Sequence, residues 1–395
     1  MSKTEIEGTG SAESTLLTSL LRNTAQQGLI YFIGVVVTGL AGFLVLPIYA
    51  RIFAPAEYGL LNLTLLVVSM GSIVMGNWLT SCTTRFLPYY QRIHKTDTFY
   101  STVLLSMILA LAAFLILGIP AYFLLLHFFT TEFQPLIPLV AALIPLTMVF
   151  MVSLSILRIK QETKRYVIFQ IGSTYLALMI GVPLVIFLGL GVSGILLGQA
   201  SILLVLGAIM FKRLFITRSS LRPSVVSLAG VKEFAIYGFP AASATIGTLL
   251  LSGADRYVIE YFRGTAEVGL YSMGYAISTI ITMLVRAFML TTTPTLMLTY
   301  ESENREITSR LLSQLTRIFL LIGLPAAIGI SVLADPVVKL LTTAPYHSTS
   351  TVIPFVALGN FVYGLCLLSY TGLQTAKKSI IMARNWFTAG VFNIV

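Results

Sequence analysis

Charge is scarce in this sequence, and aspartate, histidine and cysteine are scarcer still. Only 10% of the 395 residues are charged, against roughly 25% in ordinary globular domains. The two cysteines, Cys82 and Cys366, stand alone on separate apolar runs and give neither a disulfide framework nor a metal spacing. Both read as packing residues. The three aspartates, Asp97, Asp255 and Asp335, lie far apart, so no carboxylate pair is set to hold a divalent metal for sugar transfer. His94, His127 and His347 fall in three separate loops, without HExxH-like spacing. No glycine-rich phosphate loop precedes a strand, which excludes direct use of ATP.

Long apolar runs fill the space that charge leaves, and 56% of the residues are hydrophobic. Runs of more than about 18 residues recur, each enough to cross a ~30 Å hydrocarbon core as a helix. Lipid offers no partner for an unpaired N–H or C=O, so such runs must be helical. The expected class is an all-α polytopic membrane protein. Spanning helices are expected near 28–50, 58–82, 100–126, 134–157, 166–188, 190–211, 233–254, 267–293, 307–331 and 350–371. An eleventh begins near Asn385. Residues 1–27 are polar, with Glu5, Glu7 and Glu13 followed by Leu16, Leu17, Leu20 and Leu21 at helical spacing. Without a basic n-region and cleavage site they read as a cytoplasmic segment with a short interfacial helix, not a signal peptide.

The net charge of +10 would suggest nucleic acid in a soluble chain. Its placement says otherwise. Of the 25 Lys and Arg, twenty fall on the N-terminal segment and the loops sharing its side, and four (Arg51, Arg256, Arg263 and Lys339) on the opposite loops. Arg286 is left inside helix eight. Lys/Arg-rich loops stay cytoplasmic. The N-terminus and loops 85–99, 158–165 and 212–232 are therefore expected inside, and 255–266 outside. No nucleic-acid partner is expected.

The chain also repeats itself. Pro55-Ala56-Glu57-Tyr58-Gly59-Leu60 matches Thr265-Ala266-Glu267-Val268-Gly269-Leu270, with 267 − 57 = 210. Leu117-Gly118-Ile119-Pro120-Ala121 matches Ile322-Gly323-Leu324-Pro325-Ala326 at 322 − 117 = 205. Leu136-Ile137-Pro138 matches Val352-Ile353-Pro354 at 352 − 136 = 216. Three matches in one order imply a first lobe over 28–211, a basic cytoplasmic linker over 212–232, and a second lobe over 233–395. Six helices per lobe carry both lobes through the membrane in the same sense, so an axis along the membrane normal should relate them. Breaks such as Pro120 and Pro325 tend to line cavities, the alternative being a plain packing kink. By the repeat, helices five and six should reappear near 382–404 and 406–427, so Val395 is expected to be a truncation.

At this point a family is recognisable. Arg22-Asn23, the stretch PIYARIFAPAEYG (47–59), YGFP (237–240) and DRYVIEYFRGTAEVGLYS (255–272) resemble polysaccharide flippases. These belong to the multidrug/oligosaccharidyl-lipid/polysaccharide (MATE-like) exporter superfamily, as do O-antigen and teichuronic-acid-type exporters. The resemblance implies twelve to fourteen helices in two six-helix lobes around a central cavity, of which about ten are complete here. It also implies alternating access in the plasma membrane, with a polyprenyl-diphosphate-linked oligosaccharide as cargo moved from the inner to the outer leaflet.

A diphosphate headgroup needs cations, and its sugars need hydroxyl and amide partners. Arg is suited to phosphate because its planar fork stays charged when partly desolvated. Arg286 sits deep in helix eight, where a charge normally faces a cavity or a partner, with Ser278, Thr279 and Thr282 at helical spacing above it. Snorkelling to the headgroups is the alternative. Arg85 closes helix two after Asn77, Thr80, Ser81, Thr83 and Thr84, as a cargo contact or a cytoplasmic anchor. Asp255-Arg256 ends helix seven, as a local ion pair or a ligand contact, with Arg51 and Glu57 as the weaker counterpart in the first lobe. Arg22 guards the cytoplasmic entrance or anchors helix one, and Tyr237 and Tyr271 stack on sugars or are the interfacial tyrosines expected at helix ends. The implied substrate-binding set is thus Arg286, Arg85, Arg256, Asp255, Arg22, Asn77 and Thr282.

No metal and no cofactor are expected. Coupling to H+ or Na+ stays open, with no ion site readable. Partners are the lipid-linked oligosaccharide, membrane lipids and other glycan-assembly membrane proteins. A cation-coupled multidrug extruder is the alternative, and a membrane-integral glycosyltransferase or ligase the third reading.

Overall fold

The protein is described by a computed structural model that covers residues 30, 33–125, 133–216, 227–301 and 305–375, with isolated residues between 381 and 389. Among the described residues ten long helices follow one another: α1 (Ile33–Ile52), α2 (Pro55–Arg92), α3 (Thr96–Leu125), α4 (Ile137–Ile159), α5 (Thr163–Leu188), α6 (Gly191–Phe211), α7 (Leu228–Arg263), α8 (Thr265–Glu301), α9 (Arg305–Val332) and α10 (Ile353–Thr375). A short helix, Ala334–Leu341, and a 3-10 segment, Ala344–Thr351, lie between the last two. Nine segments among the described residues are long and apolar enough to cross a membrane. This is an all-α polytopic membrane protein.

Packing follows from the scarcity of charge. On α5 only 6% of the most apolar stretch is buried inside the protein, and Phe187 on it is 81% exposed. In water such a surface would be an adhesive patch; in lipid it faces its solvent. α2 is central, packing against α4 in its own half of the chain and against α7 and α8 in the other. A second apolar cluster of Ile281, Val285, Phe319, Ala357, Phe361 and Leu368 joins α8, α9 and α10.

The repeat reappears in the helix starts: 265 − 55 = 210, 305 − 96 = 209 and 353 − 137 = 216. These are the sequence offsets to within a few residues. Two ends differ from expectation. α2 runs to Arg92, so Arg85 lies inside it, not at its close. α7 runs to Arg263, so Asp255 and Arg256 lie two turns inside a helix, not at its end or on an outer loop. The helix continues because its polar residues find partners along it: the Tyr257 hydroxyl donates to the Leu63 carbonyl on α2 at 3.2 Å. It stops at Gly264, whose φ of +84° is open to glycine at little cost, and α8 begins one residue later.

Pro120 and Pro325 do lie inside α3 and α9. Both are exposed and neither lines the cavity described below, so the cavity-lining expectation does not hold for that cavity. Arg22 and residues 1–27, residues 217–226 of the linker and most of the expected eleventh helix lie outside the described residues.

Candidate functional site

A cavity of about 1080 Å³ lies between α8 and α10, with Ile73 of α2 and Thr245 and Asp255 of α7 on its far side. One face of α8 supplies Tyr271, Tyr275, Thr282 and Arg286 at spacings of four, seven and four, the period of a single helical stripe. α10 supplies Asn360, Tyr363 and Cys366, again one stripe. At 1.5 Å per residue Arg286 lies roughly 32 Å down from the start of α8, and Asp255 roughly 12 Å from the end of α7. The cavity therefore has an acidic end and a basic end, with tyrosines between.

Arg286 is exposed to the cavity and within electrostatic reach of Tyr275 and Tyr363. Among the described lining residues it is the cationic one. Asp255 accepts a hydrogen bond from the Tyr271 hydroxyl, and its other oxygen accepts the Arg256 backbone N–H at 2.9 Å. Arg256 itself turns away from the cavity. It is 8% exposed, its Nε donates to Ser272 Oγ at 3.1 Å, and its guanidinium lies 4.7 Å over the Tyr275 ring. It therefore acts as a staple between α7 and α8, supporting Tyr275 from behind.

The other expected site residues divide. Thr282 lines the cavity, whereas Ser278 is fully buried and donates to the Gly274 carbonyl at 2.8 Å. Asn77 reaches the cavity at one remove, its Nδ2 donating to Thr245 Oγ1 at 2.9 Å. Arg85 does not join Arg286. It lines a smaller cleft of about 600 Å³ with Phe86, Lys232, Glu233 and Tyr237, where α2 meets the start of α7. Tyr237 is thus separated from Tyr271, and its ring packs edge-on against Phe86 at 5.6 Å. Arg51 donates to the Pro47 carbonyl and Glu57 caps the Ala54 N–H, both as local helix-end contacts. Cys82 is buried packing, as expected, but Cys366 is exposed in the cavity wall. Among the described residues no cluster of three His, Cys, Asp or Glu could hold a metal.

Sequence reasoning passed over Tyr275, Asn360 and Tyr363. Tyr275 was readable, since it falls on the Tyr271–Thr282–Arg286 stripe. Asn360 is a bare amide in the apolar stretch IPFVALGNFVYGLCLL, and a polar residue at such a place is itself a signal.

Comparison with known proteins follows the same lines. The family model for polysaccharide biosynthesis proteins matches residues 24–298, and a second, MatE, matches residues 240–395. The succinoglycan biosynthesis transport protein ExoT of Rhizobium meliloti (strain 1021) is 25% identical over 326 residues, covering 82% of this chain. This chain spans 63% of that relative's length. Among solved structures, an inward-facing multidrug-resistance MATE transporter aligns at a TM-score of 0.69 with 15% identity, over 90% of this chain and 83% of its own. A MOP-superfamily transporter from Pyrococcus furiosus Vc1 (DSM3638) aligns at 0.56 with 15% identity, over 94% of each chain. At such identity these likenesses establish the fold.

Proposed function

This chain belongs to the polysaccharide biosynthesis protein family, and from that membership we propose that it is a flippase for a polyprenyl-diphosphate-linked oligosaccharide. The cargo moves from the inner to the outer leaflet of the plasma membrane by alternating access, for cell-surface polysaccharide assembly. The N-terminus is cytoplasmic, in keeping with the side on which Lys and Arg accumulate.

The observation that carries this reading is Arg286 at the deep end of a cavity whose wall, with Asp255 at the far end, is otherwise tyrosine, threonine, asparagine, cysteine and apolar groups. The diphosphate meets a fork that can grip two oxygens at once, in surroundings where attraction is far stronger than in water. Hydroxyl and amide groups of Tyr271, Tyr275, Thr282, Asn360 and Tyr363 suit sugars, which need donors, acceptors and flat faces. The prenyl tail stays in lipid. Arg85 and Lys232, at the α2–α7 cleft, draw the anionic headgroup from the cytoplasmic side. Assembly with other glycan-building membrane proteins fits the same role.

A second reading has one observation in its favour. Asp255 lies in the cavity wall, as a cation-coupled multidrug extruder requires, and it equally serves H+ or Na+ coupling of the flippase. Titration of a short-chain prenyl diphosphate into purified protein in nanodiscs separates the two. Binding should weaken about tenfold or more in Arg286→Ala, since a charge-assisted bond contributes ~1.5–3 kcal/mol, and partly recover in Arg286→Lys. Equal affinity in all three proteins, with tight binding of organic cations, would favour the extruder.

A further inference from the structure

Gly59 and Gly269 hold the same place in the two copies of the repeat, 269 − 59 = 210, the offset that also separates the helix starts Pro55 and Thr265. In the folded chain these matched starts lie against each other, backbone on backbone. A Cβ on Gly59 would come within 2.0 Å of the Thr265 carbonyl oxygen. A Cβ on Gly269 would come within 1.8 Å of the Pro55 carbonyl oxygen. The contact is reciprocal: each glycine meets the carbonyl of the residue that opens the other's helix. Backbone cannot swing aside as the end of a flexible side chain can, so one added methyl must separate the helices by about 1 Å or more.

The same end of the bundle is sealed by further contacts between the halves of the chain. The Tyr346 hydroxyl, on a fully buried side chain, donates to the Phe53 carbonyl at 3.0 Å. Thr343 Oγ1 donates to the Ala50 carbonyl at 2.8 Å, and the Tyr346 ring packs edge-on against Tyr58 at 6.3 Å. Asp255 and Tyr271, the acidic end of the cavity, lie beneath this seal.

We infer that Gly59 and Gly269 are the paired positioning residues on which the outer end of the cavity closes. The closed state exists only while both positions lack a side chain. This rests on the transporter reading and its orientation, but not on the identity of the cargo. Because the contact is mutual, either substitution alone breaks it, and the second adds little to the first.

Native cysteines report on this directly. Cys366 is exposed in the cavity wall and Cys82 is buried. The experiment labels the full chain in right-side-out membranes with a membrane-impermeant maleimide, comparing wild type, Gly59→Ala, Gly269→Ala, the double variant and Gly42→Ala. Gly42 has open space around its missing side chain and serves as the control. Labelling of Cys366 from the outer face should rise about tenfold or more in either single variant, no further in the double, and not at all in the control. Cys82 should stay unlabelled in all of them, which marks an intact fold. If an alanine variant exposes Cys82, the Tyr346→Phe variant gives the reading instead, since losing one latch bond should raise Cys366 labelling more modestly. Unchanged Cys366 labelling with Cys82 protected would overturn the inference. Because labelling needs no cargo, that result stays distinct from a failure to transport lipid-linked sugar.

Discussion

Two arginines only thirty residues apart in sequence should behave as opposites when truncated. Arg256 is a buried staple, with a charge-assisted hydrogen bond to Ser272 and a guanidinium stacked on Tyr275 among its contacts. The hydrogen bond contributes ~1.5–3 kcal/mol and the desolvated cation–π contact up to ~2 kcal/mol. The two are not additive, because the same group makes both. A loss of about 3 kcal/mol for Arg256→Ala is the reasonable expectation, in line with breaking other buried charged contacts. At roughly 2–4 °C per kcal/mol for larger domains, thermal unfolding in detergent should fall by at least about 5 °C. Arg256→Lys should recover part of this, since a charge returns without the fork. Arg286 instead opens into the cavity, and Arg286→Ala should change stability by less than about 0.5 kcal/mol, as surface changes usually do. Fluorescence-detected thermal unfolding of the purified variants measures both. Equal losses would mean that Arg286 is a structural partner as well, and the assignment of cavity cation would fail with it.

Orientation is testable by single cysteines in a background without Cys82 and Cys366: Lys160→Cys and Lys232→Cys should label from the cytoplasmic face, and Arg263→Cys from the outer face. Labelling of Lys232→Cys from outside would reverse the topology. At the turn before α5, burial pushes the Glu162 carboxyl up, but the Arg165 hydrogen bond and the charges of Arg165, Lys160 and Arg213 outweigh it, and the net shift is down. Its stabilising effect is therefore full above the ordinary carboxylate range, about 4.3, and is lost as pH falls through the lowered value. Glu162→Gln should lower the unfolding temperature slightly at pH 7 and match wild type in strong acid. A gap that persists in acid would exclude charge as its cause.

The helices were legible because lipid leaves no other use for twenty apolar residues in a row, and the repeat because three short matches recur in one order at nearly constant offsets. Helix ends were less legible. The stretch from Asp255 to Arg263 reads as a polar crossing, yet tertiary partners such as the Leu63 carbonyl for Tyr257 keep it helical. Likewise the residues after Cys82 continue α2 because Phe86 stacks on Phe234 of α7. Arg286 could be picked out by its isolation. Which of Asp255 and Arg256 turns to the cavity could not, since adjacent residues on a helix point about 100° apart and packing alone decides which faces in. The lining of α10 was hidden for the same reason: Asn360, Tyr363 and Cys366 acquire a role only once α10 is laid against α8.

The most direct test is flipping itself. Purified protein is reconstituted into vesicles with a fluorescent polyprenyl-diphosphate oligosaccharide loaded in the cytoplasmic-equivalent leaflet, and its arrival in the other leaflet is read with a lectin or quencher. Wild type should move it, Arg286→Ala should slow it about tenfold or more, Arg286→Lys should lie between, and cationic dyes should not be carried. Vesicles in which wild type leaves the labelled lipid in place while transporting the dyes would contradict the account.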